Sequence, residues 1–113
     1  MPTRYYITLP QPELARVGGE FGFRSHSAGG FAEELQAALR EDGLYRKWAA
    51  TQDDPEDIDP KLAAVDPEAT VTGQMDDLQV DLVVVTRLNG DALKHRLRLL
   101  AGSHWQLRDV TAA

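Results

Sequence analysis

The chain has 113 residues, no cysteine and a formal net charge of −6. That length suits one domain with one modest core. The missing thiols exclude disulfides and cysteine-ligated zinc, and the acidic balance argues against nucleic acid as a partner, because phosphate neutralisation dominates that affinity. No apolar run approaches the ~20 residues of a membrane span, and Met-Pro-Thr-Arg-Tyr-Tyr lacks an apolar core of signal-peptide length. The expectation is one α+β domain over residues 1–113, cytoplasmic and without membrane contact.

Arg4 to Leu9 alternates Tyr5, Ile7 and Leu9 against Arg4, Tyr6 and Thr8. This is a strand pattern, closed by Pro10 and Pro12, which cannot donate to a ladder. Gln11 to Glu20 reads as a loop with a turn at Gly18-Gly19. Phe21, Phe23 and Ser25 alternate again and suggest a second strand paired with the first. Ser27 is a candidate N-cap. After it, Phe31, Leu35, Ala38 and Leu39 fall at helical spacing, with charged residues on the other side. Gly29-Gly30 weakens the first turn, and Gly43 stands where a helix-ending glycine would. Leu44, Tyr45, Trp48 and Ala49 suggest a short second helix.

Residues 52–68 form an acidic connector. Its Asp-Pro bonds, at Asp54-Pro55, Asp59-Pro60 and Asp66-Pro67, forbid a long helix. One helical turn is expected at Pro60 to Ala64, with Asp59 as its N-cap. Ala69 to Met75 then reads as a strand. A two-residue turn at Asp76-Asp77 would set Met75 opposite Leu78, Val71 opposite Leu82 and Ala69 opposite Val84. Leu78 to Ala101 reads as a hairpin about Asn89-Gly90, a dipeptide suited to a type I′ turn. In that register Val84 faces His95, Leu82 faces Leu97 and Val80 faces Leu99. A last strand over Trp105 to Val110 follows a loop at Gly102 to His104.

The predicted architecture is thus an N-terminal strand or short hairpin, one main helix with a short second one, and a four-stranded antiparallel meander. Its topology is similar to the cystatin-like and NTF2-like architectures, in which a curved meander wraps a helix. Such folds carry many functions, so this likeness implies none.

His95 is the leading single candidate. The hairpin register puts its imidazole on the core side, where it would act as acid, base or ligand anchor, with Tyr5 or Tyr6 nearby. His26, His95 and His104 lack the spacing of a metal site. Ser25, Ser27 and Ser103 sit in no nucleophile motif. Asp53, Asp54, Glu56, Asp57 and Asp59 have neither the spacing nor the central glycine of a calcium loop. Neither glycine pair completes a phosphate-binding motif. No cofactor is implied.

Charge is uneven: residues 53–68 hold seven acids and one lysine, residues 87–108 five bases and one acid. The same hairpin register places Lys94, Arg96 and Arg98 on the outer sheet face, beside Val83, Val85 and Leu100. An apolar strip flanked by charge points to an interface, and a symmetric pair is the commonest soluble oligomer. The leading expectation is a non-enzymatic interaction domain, homodimeric through Val83, Val85, Arg96, Arg98 and Leu100. The alternative is a small-molecule or catalytic pocket between helix and sheet centred on His95. The acidic connector is a further candidate contact for a basic protein.

Overall fold

The computed structural model describes residues 2–16 and 21–113. The Gly18-Gly19 turn lies outside them. In chain order the elements are β1 (Thr3–Leu9), α1 (Pro12–Ala15), α2 (Ala28–Arg40), α3 (Gly43–Ala49), β2 (Thr70–Asp76), β3 (Gln79–Thr86), α4 (Gly90–Ala101) and β4 (Gln106–Ala112). Two 3₁₀ turns, Pro55–Asp57 and Pro60–Ala63, occupy the acidic connector.

The α+β class and a four-stranded antiparallel sheet hold, but the sheet is not a meander of consecutive strands. Its order is β2-β3-β1-β4, so the N-terminal strand is central. β1 and β2 both run antiparallel to β3, and β3 and β4 both run antiparallel to β1. Two split β-α-β units therefore interlock, the connectivity of ferredoxin-like domains.

The main correction is at Asn89-Gly90, which is a helix start and not a hairpin turn. The Asn89 side chain accepts from the Ala92 amide at 2.9 Å, an N-cap. Ala92, Leu93, Leu97, Leu100 and Ala101 then bury one stripe of α4. Residues 90–101 contain no β-branched side chain, whereas β3 carries Val83, Val84, Val85 and Thr86. That contrast favours helix for the first and strand for the second. The partner of β3 is consequently β1, with Ile7 opposite Leu82 and Tyr5 opposite Val84.

Smaller differences follow the same logic. The β2–β3 turn is Asp77-Leu78, with Asp76 opposite Gln79 and Val71 opposite Val84. Asp77 takes a φ of 60°, which aspartate tolerates better than most residues. The turn slides by one residue and the pairing by two, so each side chain keeps its face. Leu78, expected against the core, is instead 84% exposed at the turn tip. Residues 21–25 form no strand; Phe23 is buried, and its ring meets Phe31 edge-on at 4.9 Å. Gly43 opens α3, while α2 ends at Arg40 with an extended Glu41.

Other local expectations stand. Ser27 caps α2 by accepting from Gly30 N at 3.0 Å. Asp59 caps the 3₁₀ turn through Lys61 N at 2.9 Å.

The core lies between one sheet face and the helices. Val80, Leu82 and Val84 of β3 and Ile7 and Leu9 of β1 meet Phe31, Leu35 and Leu39 of α2 and Leu93 and Leu97 of α4. Each such side chain contributes about 1.5–3 kcal/mol on burial. Gly73 lets the first turn of α2 rest on β2: a Cβ there would stand 2.3 Å from the Ala28 carbonyl oxygen.

Two buried polar groups tie the connector to this core. Asp66 accepts from Thr86 Oγ1 at 2.8 Å, Arg87 N at 2.9 Å and Glu68 N at 3.0 Å. Arg96 is fully buried and donates to the carbonyls of Ala38 (3.3 Å), Leu62 and Ala64 (2.8 Å). It thereby pins the end of α2 and the second 3₁₀ turn to α4.

Candidate interaction surface

Strand alternation sends one set of side chains into the core and the other to the opposite sheet face. The pairing registers arrange that second set in rows. One row runs Thr70, Val85, Arg4, Thr111; the next runs Thr72, Val83, Tyr6, Asp109; the third runs Gln74, Asp81, Thr8, Gln106. Asp76 and Gln79 close the far end. Val83 and Tyr6 are partly exposed in the middle row, and Val85 is partly exposed beside Arg4.

The face is polarised along the strands. Arg4 marks one end and Asp81 with Asp76 the other, while exposed Asp109 stands in the middle row and exposed Arg108 reaches the Asp81 side. Asp81 is held in place, because its Oδ1 accepts from Thr8 Oγ1 at 2.8 Å and from Gln79 Nε2 at 3.3 Å. The two ion pairs among the described residues, Arg46–Asp42 and Arg87–Glu68, involve none of these charges.

A shallow groove of about 420 Å³ crosses the acidic half, between Tyr6, Gln74, Asp76, Asp81 and Arg108. Arg108 reaches it from a bulge: Tyr6 pairs with Asp109 and Ile7 with Leu107, leaving Arg108 as the extra residue.

The residues expected to form an outer-face interface divide. Val83 and Val85 stand on this open face. Arg96, Arg98 and Leu100 do not, because their segment is α4. Arg96 is enclosed, Leu100 lies in the core, and Arg98 is exposed beside a hollow it shares with Gly102, Ser103 and Trp105. Arg4 and Tyr6 take the places the hairpin reading gave to α4 residues. Their signal was the alternation of Arg4, Tyr6 and Thr8 in the first strand.

His95, Tyr5 and Tyr6 fall in three different places. The Tyr5 hydroxyl donates to Leu88 O at 3.4 Å near the start of α4, and burial pushes its pKa up. Tyr6 is on the open face. His95 lies mid-α4 and is 9% exposed. Its ring meets Trp48 of α3 edge-on at 4.3 Å and lies 6.3 Å from Tyr45. Neither ring nitrogen has a hydrogen-bond partner. Burial first, then the charges of Arg96 and Arg98, push its pKa below the ordinary histidine value.

No described helix is long and apolar enough to cross a membrane. Among the described residues, no group of three or more His, Cys, Asp or Glu side chains could hold a metal ion. The chain matches no protein-family model, no curated protein and no solved structure.

Proposed function

We propose that this chain is a non-enzymatic interaction domain that pairs with a second copy of itself through the open sheet face. The observation that carries this reading is the polarity of that face. Two identical faces can pack about a two-fold axis lying across the strands, along the row of Val83 and Tyr6. That operation lays the Arg4 end of one copy over the Asp81 end of the other. Tyr6 and Val83 fall on the axis, where a central aromatic contributes most to an interface, and Val85 flanks them in the Arg4 row. Isologous contacts require such self-complementarity, and charge matching of this kind fixes orientation.

Sedimentation equilibrium at micromolar concentration tests the proposal. The expected result is a dimer that Val83→Asp converts to monomer while the circular dichroism spectrum stays unchanged. Arg4→Asp and Asp81→Arg should each weaken the dimer, and the two together should restore it. A monomer at all concentrations up to about 100 μM ends the proposal, since weaker association than that lies below the usual range of specific complexes.

A further inference from the structure

α3 is the least embedded of the longer helices. None of its residues is fully buried. It rests on α4 through two aromatic contacts: Trp48 against His95, and Tyr45 under the Arg96 guanidinium, whose central carbon is 5.6 Å from the ring centroid.

The two α4 partners differ. Arg96 has carbonyl acceptors for its charge, whereas the His95 nitrogens have none and are closed off from solvent. We propose that α3 is a pH-gated flap: it docks on α4 while the His95 imidazole is neutral and lifts when that ring takes up a proton. This goes beyond the pairing of open faces and does not depend on it.

The surroundings give the added charge no counterion. On α4, the charges acting on the ring are Arg96 and Arg98. Asp91, one turn earlier, is exposed in the first turn of α4, and Lys94 is a further base. From α3, Tyr45 and Trp48 face the ring. Arg46 and Lys47 are exposed, and Arg46 is paired with Asp42 at 2.8 Å. The second 3₁₀ turn meets α4 through the Leu62 and Ala64 carbonyls, both taken by Arg96, and its Lys61 is exposed. An imidazolium here would be an unpaired buried charge, and contact with water requires Trp48 to move away. Lifting α3 uncovers the buried His95 ring together with the faces of Tyr45 and Trp48 that pack on α4.

Solution NMR on the full chain tests this by following the His95 ring signals and the amide protection of residues 43–49 from pH 8 to pH 4.5. The expected result is one shared midpoint below about 6.5, the ordinary histidine value. Below pH 6.5, α3 protection should fall by up to ~10-fold per pH unit, as one-proton linkage allows, while β1 and β3 amides stay protected. His95→Phe keeps an aromatic against Trp48 and should leave α3 protected throughout; His95→Gln serves if that variant does not fold.

Three results would overturn the proposal: His95 charging while α3 stays protected, α3 opening equally in the variant, or α3 opening only with the sheet. The wild-type titration suffices if neither variant folds.

Discussion

Asp66 and His95 are buried to nearly the same extent, 7% and 9% exposed, yet their surroundings are opposites. Asp66 has a donor from β3, one from the residue after it and one from its own turn. His95 has aromatic rings around it and no donor or acceptor. Burial alone would raise the Asp66 pKa, but the donors from Arg87, Thr86 and Glu68 outweigh it and hold the carboxyl below its usual value. Nothing offsets burial at His95. The contrast teaches how to read a buried polar residue: with both carboxylate oxygens engaged Asp66 is a joint of the fold in its charged form, and with neither nitrogen engaged His95 is favoured in its uncharged form.

The sharpest test is Asp66→Ala. It strands the Thr86 hydroxyl and two backbone amides, so stability should fall by about 3 kcal/mol in chemical denaturation. A loss under 1 kcal/mol would mean that water replaces the carboxylate without cost.

A pH series comes next, because the two groups act in different windows. His95 has a depressed pKa, so its neutral form is favoured by folding. Its contribution is intact above about pH 6.5 and declines as pH falls toward the folded value, because the unfolded chain binds the proton first. Asp66 is also depressed, but as an acid: its contribution is present above about pH 3.9 and is lost as pH falls through the folded value. Stability should therefore decline in two stages, and His95→Phe should erase only the upper one.

The smallest effect is His95→Phe at pH 8. With no hydrogen bond to lose, stability should change by no more than about 1 kcal/mol. A larger loss would reveal a partner for the imidazole and would close the gap between the two sites.

Several parts of the fold were legible because they are local. Alternation defined β1 and β3, Ser27 and Asp59 announced their caps, and Phe31, Leu35 and Leu39 gave α2 its inner stripe. Asn89 was ambiguous for a physical reason. Asparagine suits both a type I′ turn and a helix N-cap. Leu93 and Leu97 fit both periods, Leu99 completes the strand reading, and Leu100 completes the helical one. The missing β-branched residues in 90–101 were the deciding signal.

The open face was half visible: Val83 and Val85 follow from the alternation of β3, and Asp81 stands on the same side. Arg4 and Tyr6 needed β1 as the neighbour of β3, a pairing between residues far apart in sequence that no local pattern encodes.

That central strand also bears on how the chain reaches its native state. Thr3 lies opposite Thr86 on one side and Ala112 on the other. The middle of the sheet is therefore built wholly from distant contacts, which slow the search for the native topology. During synthesis, β2 and β3 can close their hairpin early, but β1 must wait for β3 to leave the ribosome and for β4 before its second flank is covered. Until then its backbone edge is open to pairing with other chains, so the interval before β4 arrives is when aggregation of the nascent chain is most to be expected.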